Sequence, residues 1–99
     1  MLIHFVVFWL KKGLSEEEKK SFLIGVHSLS KISGVEQTFI GKPADTPQRP
    51  VVDNSYDCAL TVVLKDMDAH DAYQKDTIHL DFIKNCSQFW EKVLIFDAD

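Results

Sequence analysis

Residues 2–10, LIHFVVFWL, form a nearly unbroken apolar run rich in β-branched and aromatic side chains. A run of this length and type predicts a strand buried on both faces rather than the alternating pattern of a half-solvated one. Its pleat puts Ile3, Phe5, Val7 and Trp9 on one side and His4, Val6, Phe8 and Leu10 on the other. The pattern then changes period. Ser15 followed three residues later by Glu18 makes a capping box, and Phe22, Val26 and Leu29 recur at helical spacing until Gly34 offers a stop.

Val35–Gly41 reads as a short strand. All three prolines fall between Pro43 and Pro50, inside a polar connection running to about Ser55, long enough to predict an exposed loop or flap. Tyr56–Lys65 predicts the next strand, with Leu60, Val62 and Leu64 on one face and Ala59, Thr61 and Val63 on the other. Asp66 or Asp68 can cap a helix that continues through Ala72 and Tyr73. Phe89–Phe96 predicts a last strand, followed by an acidic tail, Asp97-Ala98-Asp99. The order βαββαβ over 99 residues predicts one α+β domain, 1–99, with a ferredoxin-like antiparallel sheet and helices on one face.

Helices can cover only one face of that sheet, yet the first strand is apolar on both. Each large side chain left in water forfeits roughly 1.5–3 kcal/mol. Several such losses rival the ~5–15 kcal/mol that stabilises a whole domain. A second copy is the simplest cover, so a homodimer closing into a dimeric α+β barrel is expected.

Composition narrows the function classes. The net charge is −4, and Lys11, Lys12, Lys19 and Lys20 are interleaved with Glu16, Glu17 and Glu18, so no phosphate-binding stripe forms and no nucleic-acid partner is expected. No segment reaches the ~20 apolar residues of a membrane span, and the apolar start lacks the flanks of a signal peptide. Cys58 and Cys86 have no CxxC spacing and read as reduced thiols of a cytoplasmic protein, with a single disulfide between them left open as the alternative.

Four stretches together resemble the stress-responsive dimeric α+β barrel family: the opening IHFVVFWLK, the SGVEQTFIGK entry to the second strand, the segment AYQKDTIHLDF, and the closing QFWEKVLIFD. The closing stretch is especially similar to plant polyketide-cyclase members of that family. The family's histidine–proline pair after the tyrosine is replaced here by Asp76 and Thr77. On one continuous helix at ~100° per residue, Tyr73 and His79 would stand roughly 240° apart. Asp76 and Thr77 are good N-caps, so a helix ending near Lys75 and another starting at Asp76 or Thr77 are expected. That break would let Tyr73 and His79 share a site.

The resemblance implies a cavity between sheet and helices with His4, Tyr73 and His79 as catalytic residues. His79 would be the general base and Tyr73 the donor to a developing enolate. Val6, Phe8, Phe22, Val26 and Cys58 are the expected walls. It implies a small aromatic or polyketide-like ligand and no cofactor. Three readings stay open: a ligand-binding barrel of unassigned activity, a cofactor-free cyclase or lyase of aldol type, and a cofactor-free monooxygenase. Each residue also has a structural reading, with His4 a hydrogen-bonded strand residue and Phe22 and Val26 plain core. His27 and His70 sit on helices without evident partners and are expected in solvent. No two histidines stand four apart on a helix, so no metal site is expected.

Overall fold

A computed structural model describes residues 1–99. Strand β1 (Leu2–Leu10) leads to helix α1 (Glu16–Ser28), a 3-10 turn at Leu29–Lys31, and strands β2 (Val35–Gly41) and β3 (Cys58–Leu64). Helices α2 (Met67–Lys75) and α3 (Thr77–Cys86) and a second 3-10 turn at Ser87–Phe89 precede strand β4 (Trp90–Ala98). The four strands form one antiparallel sheet in the order β2-β3-β1-β4, with β1 and β3 inside. This is the ferredoxin-like arrangement.

Local chemistry sets the helix boundaries. The Ser15 hydroxyl accepts from the Glu18 amide (3.1 Å) while the Glu18 carboxylate accepts from the Ser15 amide (3.0 Å), satisfying two free amides at the start of α1. Gly34 ends the following turn with φ +91°, a conformation that side chains with a Cβ rarely adopt. Asp66 caps α2 through its carboxylate and the Ala69 amide (2.9 Å).

Register divides the sheet into two faces. The inward rows carry Val62, His4 and Asp97, then Leu60, Val6 and Ile95, then Cys58, Phe8 and Val93. Against the inner strands α1 packs Phe22 and Val26, α2 packs Tyr73 and α3 packs Phe82, which builds the core. On the outward face Phe39, Thr61, Phe5 and Phe96 run across all four strands in one row. Phe39 and Phe96 are 58% and 57% exposed within the chain, so the outward face is left open.

Two strands differ in extent from the expectation. Strand β3 spans Cys58–Leu64 rather than Tyr56–Lys65, and just before it the Asp57 amide donates to the Phe8 carbonyl (2.9 Å) as the connection turns into the sheet. Strand β4 begins one residue later and runs to Ala98, so Asp97 belongs to the sheet and not to a tail. The connection between β2 and β3 contains no helix or strand and is mostly exposed. It is tied down near its end, where Trp9 Nε1 donates to the Ser55 hydroxyl (3.0 Å) and the Leu10 amide to Asp57 (2.7 Å).

Candidate functional site

The helix break is present and has a defined cause. Asp76 leaves the helical region (φ −64°, ψ 141°), and its carboxylate accepts from the Ile78 amide at 2.8 Å, capping α3. The chain therefore changes direction between Lys75 and Thr77. Tyr73 and His79 come together with ring centroids 5.0 Å apart, and the His4 ring lies 5.5 Å from Tyr73. All three line one cavity of about 120 Å³ between sheet and helices.

The walls differ from expectation in part. Val6 and Phe8 line this cavity, joined by Phe82, Trp90, Val93 and Ile95. Phe22 and Cys58 instead line a larger open groove of about 780 Å³ beyond the C-terminal end of β1. Val26 is fully buried in the core, under the α1 side of the sheet. Phe22 packs on Phe8 at the Cys58 end of the inward face, with ring centroids 5.2 Å apart, whereas Tyr73 and His79 gather beside His4 at the other end. In the larger groove Asp57 accepts from the Leu10 amide and Ser55 from Trp9, and the other polar lining is mostly exposed lysines. The smaller cavity is the one that gathers His4, Tyr73 and His79.

Electrostatics set the site's resting state. His4 and Tyr73 are 2% and 1% exposed. Burial raises the Tyr73 phenol well above its ordinary value, so it stays protonated as a hydrogen-bond donor. Burial, helped by the charge His4 can carry, lowers His79 below the usual imidazole range, while the Gln74 backbone and Asp76 pull the other way. His79 is thus neutral at pH 7, and its buried Nδ1 has no hydrogen-bond partner in the chain. His79 lines the cavity beside Tyr73, and a neutral imidazole next to a protonated phenol can accept a proton while the phenol donates to an oxygen.

Two residues of the neighbourhood escaped the sequence reading. Asp97 lies directly across the ladder from His4 and receives His4 Nδ1 on Oδ1 at 2.5 Å. The signal was present: the alternation Val93, Ile95, Asp97 continues the inward face of β4. His70, expected in solvent, is half-buried with its ring centroid 5.4 Å from that of His4. It pairs with Asp71 through Nδ1 (3.2 Å) and approaches Asp97 through Nε2 (3.8 Å). One ligand atom each from His4, His70 and Asp97 lie within 4.8 Å of one another, so these residues form a candidate metal-ligating cluster that helix spacing alone could not reveal.

Fold and cavity together define a ferredoxin-like α+β domain with a histidine–tyrosine pocket between sheet and helices. The chain belongs to the stress responsive A/B barrel domain family, whose model matches residues 2–99. Among solved structures, an Arabidopsis thaliana protein is 19% identical at TM-score 0.82, covering 100% of this chain and 94% of its own. A family member from Mesorhizobium loti with a ferredoxin-like fold is 27% identical at TM-score 0.79, covering 99% and 94%. The hydroxynitrile lyase of Passiflora edulis is 17% identical at TM-score 0.78, covering 98% and 90%. Neighbours from Thermobifida fusca and Bacteroides fragilis are described as dimeric proteins of unknown function. No curated protein matches the chain at significant similarity. No helix is long and apolar enough to cross a membrane.

Proposed function

We propose that the chain works as a homodimer that binds a small carbonyl- or hydroxyl-bearing ligand in the His4–Tyr73–His79 cavity and moves a proton on it without a cofactor. The observation that carries this reading is the buried, unpartnered His79 Nδ1 beside the Tyr73 ring. A buried polar atom without a partner costs on the order of 1–3 kcal/mol, a cost that a ligand hydroxyl or acidic C–H removes. The ligand oxygen would rest on the Tyr73 hydroxyl, where developing negative charge meets a donor held in a water-poor site. His4, held by Asp97, would fix the far wall.

The reaction class this supports is making or breaking a bond next to a carbonyl, of lyase or aldol type. That class includes the activity named for the passion-fruit neighbour, and it is transferred here as a proposal only. A cavity of about 120 Å³ is smaller than the ~300–1,000 Å³ of typical ligand pockets, which favours a compact aromatic or aliphatic ligand. A polyketide-like chain would have to project past Val93 and Ile95, which are 38% and 48% exposed at the cavity edge. The buried free thiols of Cys58 and Cys86 suit a reducing compartment, and the cytoplasm is the location we assign.

The test uses benzaldehyde as a probe ligand and mandelonitrile as a probe substrate. Benzaldehyde should produce saturable shifts of the His79 ring signals in NMR, weakened in Tyr73→Phe. Turnover of mandelonitrile, followed as benzaldehyde release, should fall by about 10²–10⁴ in His79→Ala. Binding unaffected by both substitutions would overturn the proposal. Binding without turnover would leave the ligand reading and remove the lyase one.

A further inference from the structure

We infer that His4, His70 and Asp97 form a binding site for a divalent transition-metal ion of the zinc class, at the rim of the cavity between β1, α2 and β4. Two imidazoles and one carboxylate are the donor set that borderline ions such as Zn²⁺ take, whereas Mg²⁺ and Ca²⁺ prefer oxygen alone. The distances fit. A tetrahedral ion with bonds of ~2.0–2.2 Å sets its ligand atoms roughly 3.4 Å apart. His4 Nδ1 stands 2.5 Å from Asp97 Oδ1, His70 Nε2 stands 3.8 Å from Asp97 Oδ2, and one ligand atom from each of the three residues lies within 4.8 Å of the others.

The surroundings of His70 supply an independent argument. Its Nδ1 faces the Asp71 carboxylate at 3.2 Å, and its Nε2 faces Asp97 at 3.8 Å. A carboxylate behind the non-ligating nitrogen is the usual support of a metal-bound histidine, fixing tautomer and ring orientation. His70 lines neither the cavity nor the apolar core, and its polar contacts are the two aspartates. The Asp97 side chain is 41% exposed, which gives an ion a path from solvent and leaves a fourth coordination position for water. The His4 side chain, 3% exposed, anchors the site from the sheet. The site shares His4 with the cavity, but it does not depend on what the cavity binds.

The experiment is a titration of the tag-free, chelator-treated protein with Zn²⁺ by calorimetry and with Co²⁺ by visible absorption. One ion per chain should bind, with the intense Co²⁺ bands of a four-coordinate site. Asp71→Asn should weaken binding toward the ~10–100-fold range seen when a supporting carboxylate is lost, and His70→Ala by more. Asp97→Asn should also weaken it, and His27→Ala, which alters an exposed histidine outside the cluster, should leave it unchanged. Melting provides a second readout: Zn²⁺ should raise the Tm of the unaltered chain and not that of His70→Ala, a variant expected to fold because the residue lies outside the core. No saturable binding, binding by His70→Ala equal to that of the unaltered chain, or an equal loss in His27→Ala would overturn the inference.

Discussion

Tyr73 and His79, six residues apart, hold their rings with centroids 5.0 Å from each other because Asp76 ends one helix and caps the next. The relationship depends on a single carboxylate taking the Ile78 amide. Asp76→Ala should therefore cost about 1 kcal/mol of stability, the usual loss for an N-cap, read as a lower urea midpoint at unchanged slope. Asp76→Asn keeps an acceptor and should recover most of it. Equal stabilities for all three proteins would show that the break is held by packing instead.

The row Phe39–Thr61–Phe5–Phe96 crosses the sheet face that no helix covers, with the Phe5 and Phe96 rings 6.5 Å apart. Solved neighbours of this fold are described as dimeric, and the same face here is the surface a second copy would bury. Sedimentation at micromolar concentration should give twice the chain mass. Phe96→Glu should give a monomer of reduced stability, because a buried charge without a partner is costly. A soluble, fully stable monomer of the unaltered chain would sink the dimer.

Gly25 on α1 faces α3 closely. A Cβ added there would lie 2.5 Å from Cys86 Sγ and 3.1 Å from Phe82 Cδ1. Gly25→Ala should thus destabilise by roughly 1–3 kcal/mol through overpacking, despite alanine's better helix propensity. Combining it with Cys86→Ala removes the nearer clash, so the double variant should lose less than the two single losses added together. Strict additivity in thermal or urea unfolding would contradict a direct contact.

Stability should decline in alkali. Burial, with the neighbouring Asp57 carboxylate, pushes the Cys58 thiol up from 9.0 to about 11. Between those values the unfolded chain has lost the proton and the folded chain has kept it, so stability falls as pH rises through that window. The Tyr73 phenol, also raised by burial, acts in the same direction at higher pH. The thiol's share is on the order of 2 kcal/mol. Tm measured from pH 8 upward should fall less steeply in Cys58→Ala than in the unaltered chain, whatever its starting value, and identical slopes would assign the loss elsewhere.

The elements were legible because their determinants are local. An apolar run, a capping box, a glycine stop and an aspartate able to cap a new helix are read within a few residues, and each is where the chain folds as expected. The two-faced apolarity of β1 even posed the question of the second sheet face. The cavity trio was half legible: its helix break is local, while its closure over His4 is not. Asp97 meets His4 across 93 residues of sequence, and the strand register that pairs them, set by matching apolar faces over the whole ladder, is a property of the sheet. The placement of Phe22 and Cys58 away from the cavity follows from where α1 crosses the sheet, and the approach of His70 follows from where α2 does. A pattern of apolar positions tells a helix which side to bury, but only packing of the completed layers decides which end of the sheet it covers.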